Sequence, residues 1–135
     1  MTIINLNEEQ AEDIGARLSA FDEQYISYKM NGRIRIGMED GGKLIAGLDA
    51  EITAFRILYV STVFVDEAYR RKGIGARLVR EMEKRAAAMG VNAIRLDTFN
   101  WQGKEFYEAL GYTAVGHYDH DEDGFSEYFF LKRLS

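Results

Sequence analysis

The sequence contains no cysteine and no proline among its 135 residues, and it has no long apolar run. Without cysteine, the chain cannot form disulfides or thiolate metal sites, and it cannot use a cysteine nucleophile. The longest apolar stretch, residues 57–65, is interrupted by Ser61 and Thr62 and is too short to span a bilayer. The N-terminus lacks the basic and then apolar pattern of a signal peptide. We therefore expect one soluble, cytoplasmic domain over residues 1–135 that does not associate with membranes.

Negative charge predominates, with a formal net charge of -5. That balance argues against a nucleic-acid-binding protein that is held by a basic surface. Residues 66–85 are the exception, because they contain seven Lys or Arg against four Asp or Glu. A small basic segment on an acidic body suits a compact polyanionic ligand better than a long nucleic-acid backbone.

The N-terminal third is expected to begin with a short strand at residues 2–6. Asn7 then caps a predicted helix, since acidic residues follow it in the first turn, where the helix dipole favours them. The apolar residues of this helix recur at helical spacing and are Ile14, Leu18 and Phe21. A second helical piece is expected to run on toward Tyr28.

The rest of the chain predicts a mixed-sheet α/β domain. Two strands are joined by a hairpin turn at "DGG", residues 40–42, and the mostly apolar residues 55–65 predict a central strand covered on both faces. An amphipathic helix over residues 73–89 follows and is closed by Gly90. The segment "AIRLDTF" is the next strand, followed by a short helix and a final antiparallel pair of strands.

Residues 70–75 read "RRKGIG" and join the predicted central strand to the next helix. Backbone N–H groups at such a turn have no intrahelical partner, and glycines let an anion approach them closely. The alternative is a tight turn with solvated cations. A Walker loop is excluded because Lys72 precedes the glycines and Ala76 follows them. A dinucleotide loop is excluded because Leu78 stands where Gly or Ala is required.

The segment "RRKGIGA" resembles the R/Q-x-x-G-x-G/A signature of the GNAT superfamily of acyl-CoA-dependent N-acetyltransferases, with Arg70, Gly73 and Gly75 at the defining positions. The segments "AIRLDTFN" and "FYEALGY" follow in the family's order. The resemblance implies an α/β (α+β) fold with a mixed, mostly antiparallel sheet of about six to seven strands, flanked by helices, and a cofactor cleft at the splayed central strands. It also implies direct transfer of an acetyl group from acetyl-CoA to a primary amine of a small molecule or peptide.

The resemblance also implies where coenzyme A binds. Its pyrophosphate would lie on the glycine loop, at Arg70, Arg71, Lys72, Gly73, Ile74, Gly75 and Ala76. Its pantetheine arm would run beside the central strand, at Val63, Phe64 and Val65, with the Val63 amide as oxyanion donor. Core packing is the alternative role of these strand residues. Asn100 matches a position that often contacts the arm, and a helix N-cap is the alternative there.

The tyrosine of "FYEALGY" commonly protonates the departing thiolate in this family, which implies that role and a cofactor contact for Tyr107. A phenol with a pKa near ~10 keeps its proton at neutral pH, although packing against the cofactor is the simpler alternative. The usual general-base glutamate falls on Ser61, which cannot deprotonate an amine. Substitutes are Asp97, Glu39, Glu51 or Tyr59 acting through water, and a chain of water molecules without a dedicated base is also open.

The acceptor side is predicted to include Tyr28, Tyr59, Ser61 and Asp97. The acidic segment "DHDEDG" at residues 119–124 would attract a cationic amine if it lay near them, with Tyr25 and Tyr118 in the same cavity. It imitates half of a calcium loop, but Phe130 stands where a Glu is required, so no metal site is predicted. Ser61 also supports another function, a coenzyme-A-binding sensor domain with little catalysis. Pairing of sheet edges into a homodimer is a further option.

Overall fold

The computed structural model describes residues 1–26 and 30–134. Its elements in chain order are α1 (Glu8–Asp22), β1 (Arg33–Asp40), β2 (Lys43–Ala54), β3 (Ile57–Val65), a 3-10 turn (Glu67–Tyr69), α2 (Ile74–Ala88), β4 (Ala93–Phe99), α3 (Lys104–Ala109), β5 (Thr113–His120) and β6 (Phe125–Arg133). The predicted helical piece toward Tyr28 ends in residues 27–29, which lie outside the described residues.

The strands form one sheet in the order β1-β2-β3-β4-β6-β5. All neighbours pair antiparallel except β3 and β4, which are parallel because α2 crosses over between them. The predicted mixed, mostly antiparallel sheet flanked by helices is therefore confirmed, with six strands. The crossover places the start of α2 beside the end of β3, where the glycine loop lies.

Helix α2 covers one face of the sheet, because its apolar side chains recur at helical spacing. Its buried residues are Leu78, Val79, Met82 and Ala86. Beneath them lie alternate residues of the strands, including Leu58 and Ile94, which are fully buried. This core fixes the positions of β3 and β4 relative to α2.

The N-terminal segment differs from the prediction. Residues 2–6 form no strand, so the expected opening strand is wrong. Asn7 does cap α1, since its side chain accepts a hydrogen bond from the amide of Gln10 at 2.8 Å in a capping box. None of the fifteen residues of α1 is buried, however, and its apolar stripe is exposed. The N-terminal cap of α1 therefore forms as the sequence predicts, although the helix does not pack on the core.

The prediction that β3 is covered on both faces is also wrong. Leu58 and Val60 are buried under α2, whereas Phe64, which opposes Gly47 in β2, is exposed. The same face carries Tyr118 and Phe129, which are both more than a third exposed. We call this face, opposite to α2, the open face of the sheet. The apolar run of β3 thus reflects its central position in the sheet and not a second covering layer.

Candidate functional site

The two central strands separate at the middle of the sheet. In the described part of the chain, β3 and β4 pair only through residues 57–59 and residues 93–95. Beyond this point β3 stays paired with β2 as far as Val65, and β4 stays paired with β6 as far as Phe99. The strands therefore diverge after Tyr59 and open a cleft, as the resemblance implied.

A β-bulge in β3 lies beside this cleft. Ala50 of β2 opposes Val60 while the adjacent Asp49 opposes Thr62, so Ser61 is the extra residue. The hydroxyl of Ser61 donates a hydrogen bond to the carbonyl oxygen of Asp49 at 3.2 Å. Bulges commonly redirect a strand beside an active site. Ser61 thus has a structural role at the position where the resemblance led us to expect a glutamate.

The start of α2 has the backbone geometry of an anion site. Gly73 is the N-cap with φ 77° and ψ 9°, and no side chain caps it. The amide of Arg77 donates to the carbonyl oxygen of Gly73 at 3.0 Å, so the amides of Ile74, Gly75 and Ala76 have no acceptor within the helix. With Arg71 also at positive φ, the turn has the form of a concavity lined by amides.

Two of the loop cations are engaged by the protein itself. The Nε of Arg70 donates to the carbonyl oxygen of Val65 at 2.9 Å, and its guanidinium lies 5.3 Å from the centre of the Phe64 ring. The Nζ of Lys72 lies 5.4 Å from the centre of the Tyr69 ring. Arg70 therefore ties the loop to the end of β3. The backbone amides are the groups best placed to meet an anion.

The cleft has a volume of about 800 Å³, which is typical of a small-molecule site. Predicted site residues that line it are Ser61, Val63, Phe64, Val65, Arg70, Arg71, Gly73, Ile74, Gly75, Ala76, Asp97 and Tyr107. Within the described ranges, Tyr59, Lys72 and Asn100 lie outside this lining. Tyr28 lies outside the described residues. The open strand edge, the glycine loop and the volume together fit a long thioester that carries a pyrophosphate, as acetyl-CoA does.

Asn100 is engaged by strand β6. Its Oδ1 accepts a hydrogen bond from the amide of Ser126 at 2.9 Å, and its own amide donates to the carbonyl oxygen of Ser126 at 3.0 Å. The N-cap of α3 is Gly103, so the alternative interpretation of Asn100 as a helix cap is wrong. Asn100 instead extends the pairing of β4 with β6.

Tyr107 brings a phenol to the cleft from α3. It is 8% exposed, and its ring packs edge-on against Phe106 and Tyr112, with ring centres 5.0 and 5.7 Å away. Gly103 permits this position, because a Cβ there would lie 3.0 Å from the Tyr107 ring. Burial raises the pKa of Tyr107 to about 12. The phenol therefore holds its proton at neutral pH and is available as a donor.

Among the four substitutes for the missing base, Asp97 lines the cleft. The hydroxyl of Tyr59 donates to Oδ2 of Asp97 at 3.1 Å. Burial, and then the interaction with Asp97, raise the pKa of Tyr59. Tyr59 therefore stays protonated and orients the carboxylate. Glu51 is ion-paired with Arg33 at 3.0 Å, and Glu39 lies on the edge strand β1.

Sequence reasoning missed five residues that line the cleft at the end of β4, in the following turn and in α3: Thr98, Trp101, Gln102, Gly103 and Phe106. In the turn between β4 and α3, Oε1 of Gln102 accepts a hydrogen bond from the amide of Phe99 at 2.8 Å. The ring of Trp101 stacks on that of Phe99, with the ring centres 4.8 Å apart. The only signal in the sequence was the density of aromatic and polar residues between a strand and a short helix. It could not show which of them face the cleft.

The glycine loop leads to a first prediction. Gly75→Val will weaken binding of coenzyme A by roughly tenfold or more, because a Cβ at Gly75 would already lie 3.2 Å from the ring of Phe106 and would crowd the loop amides. Lys72→Met will change the dissociation constant by less than about threefold, since Lys72 lies on Tyr69. Calorimetric titration measures both. The opposite order of effects would show that charge holds the ligand. Thermal unfolding without ligand is the control for misfolding.

The acidic segment at residues 119–124 forms the turn between β5 and β6. Its His120 Nδ1 lies 3.3 Å from Oδ2 of Asp123. Among residues 1–26 and 30–134, no group of three or more His, Cys, Asp or Glu side chains is placed to hold a metal ion. None of the helices within the same ranges has the length and apolar character needed to cross a bilayer.

Comparison with known proteins identifies sequences similar to this chain. The profile of the Acetyltransferase (GNAT) family matches residues 3–112. Acetyltransferase Atu2258 of Agrobacterium fabrum (strain C58) is 38% identical over 64 residues, which are 47% of this chain and 47% of that protein. The match therefore spans about half the length of this curated relative.

Solved structures resemble the whole chain. The crystal structure of an acetyltransferase from Bacillus cereus has a TM-score of 0.92 at 28% identity, over 99% of this chain and 98% of that one. An aminoglycoside 6'-N-acetyltransferase complexed with coenzyme A has a TM-score of 0.66 at 22% identity, over 76% of this chain and 73% of that one. At least one solved structure with this fold therefore contains bound coenzyme A.

Proposed function

The chain belongs to the GNAT family of acetyltransferases, and we propose that it transfers the acetyl group of acetyl-CoA to a primary amine of a small molecule or peptide. The single observation that carries this proposal is the convergence of three features on one cleft. Amides at the start of α2 are free, the phenol of Tyr107 is protonated, and the carboxylate of Asp97 is held by Tyr59. We further propose that residues 1–135 act as one catalytic domain in the cytoplasm.

Each group has a distinct task in this proposal. Acetyl-CoA supplies an acetyl thioester, and the loop amides at residues 74–76 and the free edge of β3 would hold it. The Val63 amide stabilises the negative charge that develops on the carbonyl oxygen. Asp97 takes up the proton that the amine loses, directly or through water. The hydroxyl of Tyr107 gives its proton to the sulfur as the carbon–sulfur bond breaks. No covalent intermediate on the protein is needed, which agrees with the absence of cysteine.

We propose a cationic acceptor, recognised on the open face beside Asp97. Glu127 lies there on β6 and accepts a hydrogen bond from the hydroxyl of Tyr118 at 2.7 Å. Its charge reaches Tyr59, because it raises the pKa of Tyr59, although by less than burial and Asp97 do and by less than the Arg95 guanidinium, 4.5 Å from the ring centre, lowers that pKa. Two carboxylates against the one guanidinium of Arg95 leave a net negative charge, which together with the two tyrosines attracts a positively charged amine. This pair lies closer to the cleft along β6 and β4 than the turn at residues 119–124.

Charge removal separates these two acidic regions. Glu127→Gln will raise KM for a cationic acceptor roughly fivefold, the equivalent of about 1 kcal/mol for one nearby charge, while KM for acetyl-CoA stays constant. Glutamine retains an acceptor for the hydroxyl of Tyr118. Asp121→Asn, in the exposed turn of the same hairpin, is the matched control and should leave both constants unchanged. A larger effect of Asp121→Asn would place acceptor recognition in the turn.

The reaction itself is tested by measuring free thiol released from acetyl-CoA across a panel of primary amines, with a no-amine control. The expected result is thiol release that depends on the amine and acetylated amine in equal amount by mass spectrometry. The competing proposal, a coenzyme-A-binding sensor, is favoured by the structural role of Ser61 at the position where the resemblance led us to expect a glutamate. It predicts saturable binding of coenzyme A by calorimetry without turnover of any amine.

A further inference from the structure

Helix α1 has an apolar stripe that its own chain leaves exposed. Ile14, Leu18 and Phe21 recur at spacings of four and three residues, which places them on one face of the helix. Their exposed fractions are 50%, 59% and 53%. An isolated helix of 15 residues is marginally stable in water, so most helices of this length depend on packing of their apolar face. Another surface is therefore expected to cover this stripe.

The open face of the sheet has an open hollow that is lined by apolar residues together with the ion pair of Arg35 and Asp49 and with Thr62. Gly37 of β1 and Gly47 of β2 oppose each other and form its floor, and it has a volume of about 470 Å³. A Cβ at Gly37 would lie 2.9 Å from the carbonyl oxygen of Ala46, so the floor cannot easily be filled by a larger residue. The rim includes Leu44 and Phe64, which are 67% and 54% exposed. Such a hollow suits a large apolar side chain of a docking helix.

The arrangement of α1 recurs in an experimental structure. Residues 1–22, the helix and the segment before it, make up about a sixth of the chain. A structure that placed them elsewhere relative to the sheet could not match 99% of this chain with a TM-score of 0.92, as the Bacillus cereus crystal structure does. The placement of α1 relative to the sheet is therefore shared by the two chains.

We propose that the stripe of α1 packs in the Gly37–Gly47 hollow of a second copy of this chain, and that the second copy reciprocates. Each chain carries both surfaces, so a twofold pair buries both stripes and both hollows and leaves neither exposed. Exchange of an N-terminal element in this way is a low-cost route to a dimer. The 22 exchanged residues and the receiving sheet face also reach the roughly 20 to 30 residues per partner of a stable interface.

Measurement of mass in solution is the first test. Light scattering at tens of micromolar should give twice the chain mass of 15.4 kDa. The double variant Leu18→Glu, Phe21→Glu should be a monomer. Its far-UV circular dichroism should keep the β-sheet signal of the parent, and its binding of coenzyme A should be unchanged. Ala16→Glu with Ser19→Glu adds the same charge to the opposite face of α1 and should leave the dimer intact. A monomeric parent, or a dimer that survives the Leu18 and Phe21 changes, would overturn the proposal.

Cross-linking tests which surfaces meet, and the absence of cysteine makes it specific. Chains with Leu18→Cys and chains with Leu44→Cys carry different tags and are co-expressed, then treated with a short bismaleimide. A covalent dimer carrying both tags is the expected product, whereas Ala16→Cys in place of Leu18→Cys should give almost none. A third chain that carries both Leu18→Cys and Leu44→Cys tests the alternative. If a link forms only within this chain and never between chains, α1 covers its own sheet and the proposed exchange is wrong.

Discussion

Tyr107→Phe will lower kcat by roughly 100-fold or more and will leave the affinity for acetyl-CoA nearly unchanged. Phenylalanine keeps the ring in contact with Phe106 and Tyr112, so the variant loses only the hydroxyl. That hydroxyl supplies the proton for the departing sulfur, and without it the thiolate must leave with its charge uncompensated in a largely buried place. Stopped-flow or steady-state thiol release gives kcat, and calorimetry gives the affinity.

Tyr112 is the matched control for this variant. It is also a buried tyrosine and its ring contacts that of Tyr107, but it does not line the cleft, and its hydroxyl donates to Oε2 of Glu83 at 2.8 Å. Tyr112→Phe should lower the free energy of unfolding by about 1 kcal/mol, because Glu83 loses one hydrogen bond but keeps the Lys132 Nζ donor at 3.1 Å, yet change kcat little. Equal losses of kcat in both variants would mean that Tyr107 acts through packing.

The raised pKa of Tyr107 adds a pH signature. A phenol with a pKa of about 12 loses its proton only as pH rises through that value. Wild-type kcat should therefore show no alkaline decline from Tyr107 between pH 7 and about pH 11. A decline near pH 10, present in the parent and absent in Tyr107→Phe, would indicate that the phenol is less buried in the working enzyme.

Most helices and strands could be predicted because they depend on local patterns, and the mixed, mostly antiparallel sheet was implied by the family resemblance. The apolar stripe of α2 buries Leu78 and Met82, and Gly90 ends that helix with φ 93°, as the sequence indicated. The glycine loop was also predictable, since only residue types that tolerate a left-handed backbone fit Gly73. In such positions a residue and its near neighbours in sequence determine the geometry.

Properties that depend on distant contacts could not be predicted. The stripe of α1 indicated an apolar face, but periodicity does not say which surface, or which chain, covers it. The bulge at Ser61 depends on the register with β2, which no local pattern encodes. Lys72 and Asn100 contact Tyr69 and Ser126, which the sequence did not indicate, and their part in binding the cofactor stays a prediction. Side-chain direction at a site is set by such partners.

The choice of Asp97 as the proposed base also depends on contacts between residues that are distant in sequence. From sequence it was one of several acids that could replace the missing glutamate. In the structure the splay of β3 and β4 places it in the cleft, and the hydroxyl of Tyr59 holds its Oδ2. Glu51, by contrast, is paired with Arg33 on the open face. The position of a base thus depends on where two strands part, which is a property of the sheet and not of one segment.

Asp97→Asn will lower kcat/KM for the amine by roughly 100-fold or more at pH 7. An amine with a pKa near ~10 is almost entirely protonated at that pH, and asparagine cannot accept its proton. Asparagine keeps the volume of the side chain and an oxygen for the Tyr59 hydroxyl, so binding of coenzyme A should persist. Below its pKa, the fraction of amine that is unprotonated rises about tenfold per pH unit. The difference in kcat/KM between Asp97→Asn and wild type should therefore narrow as pH approaches ~10.

Two further variants decide whether this loss belongs to proton transfer. Glu51→Gln removes an equal charge from the open face outside the cleft and should stay within about twofold of the parent at every pH. Tyr59→Phe leaves the carboxylate but frees its Oδ2, so it should lower kcat more than it changes KM, by an intermediate factor. If Asp97→Asn keeps the parent's activity from pH 6 to 9, water without a dedicated base removes the proton. If its deficit is constant with pH, Asp97 orients the acceptor instead, because a lost base would matter less as the amine deprotonates on its own.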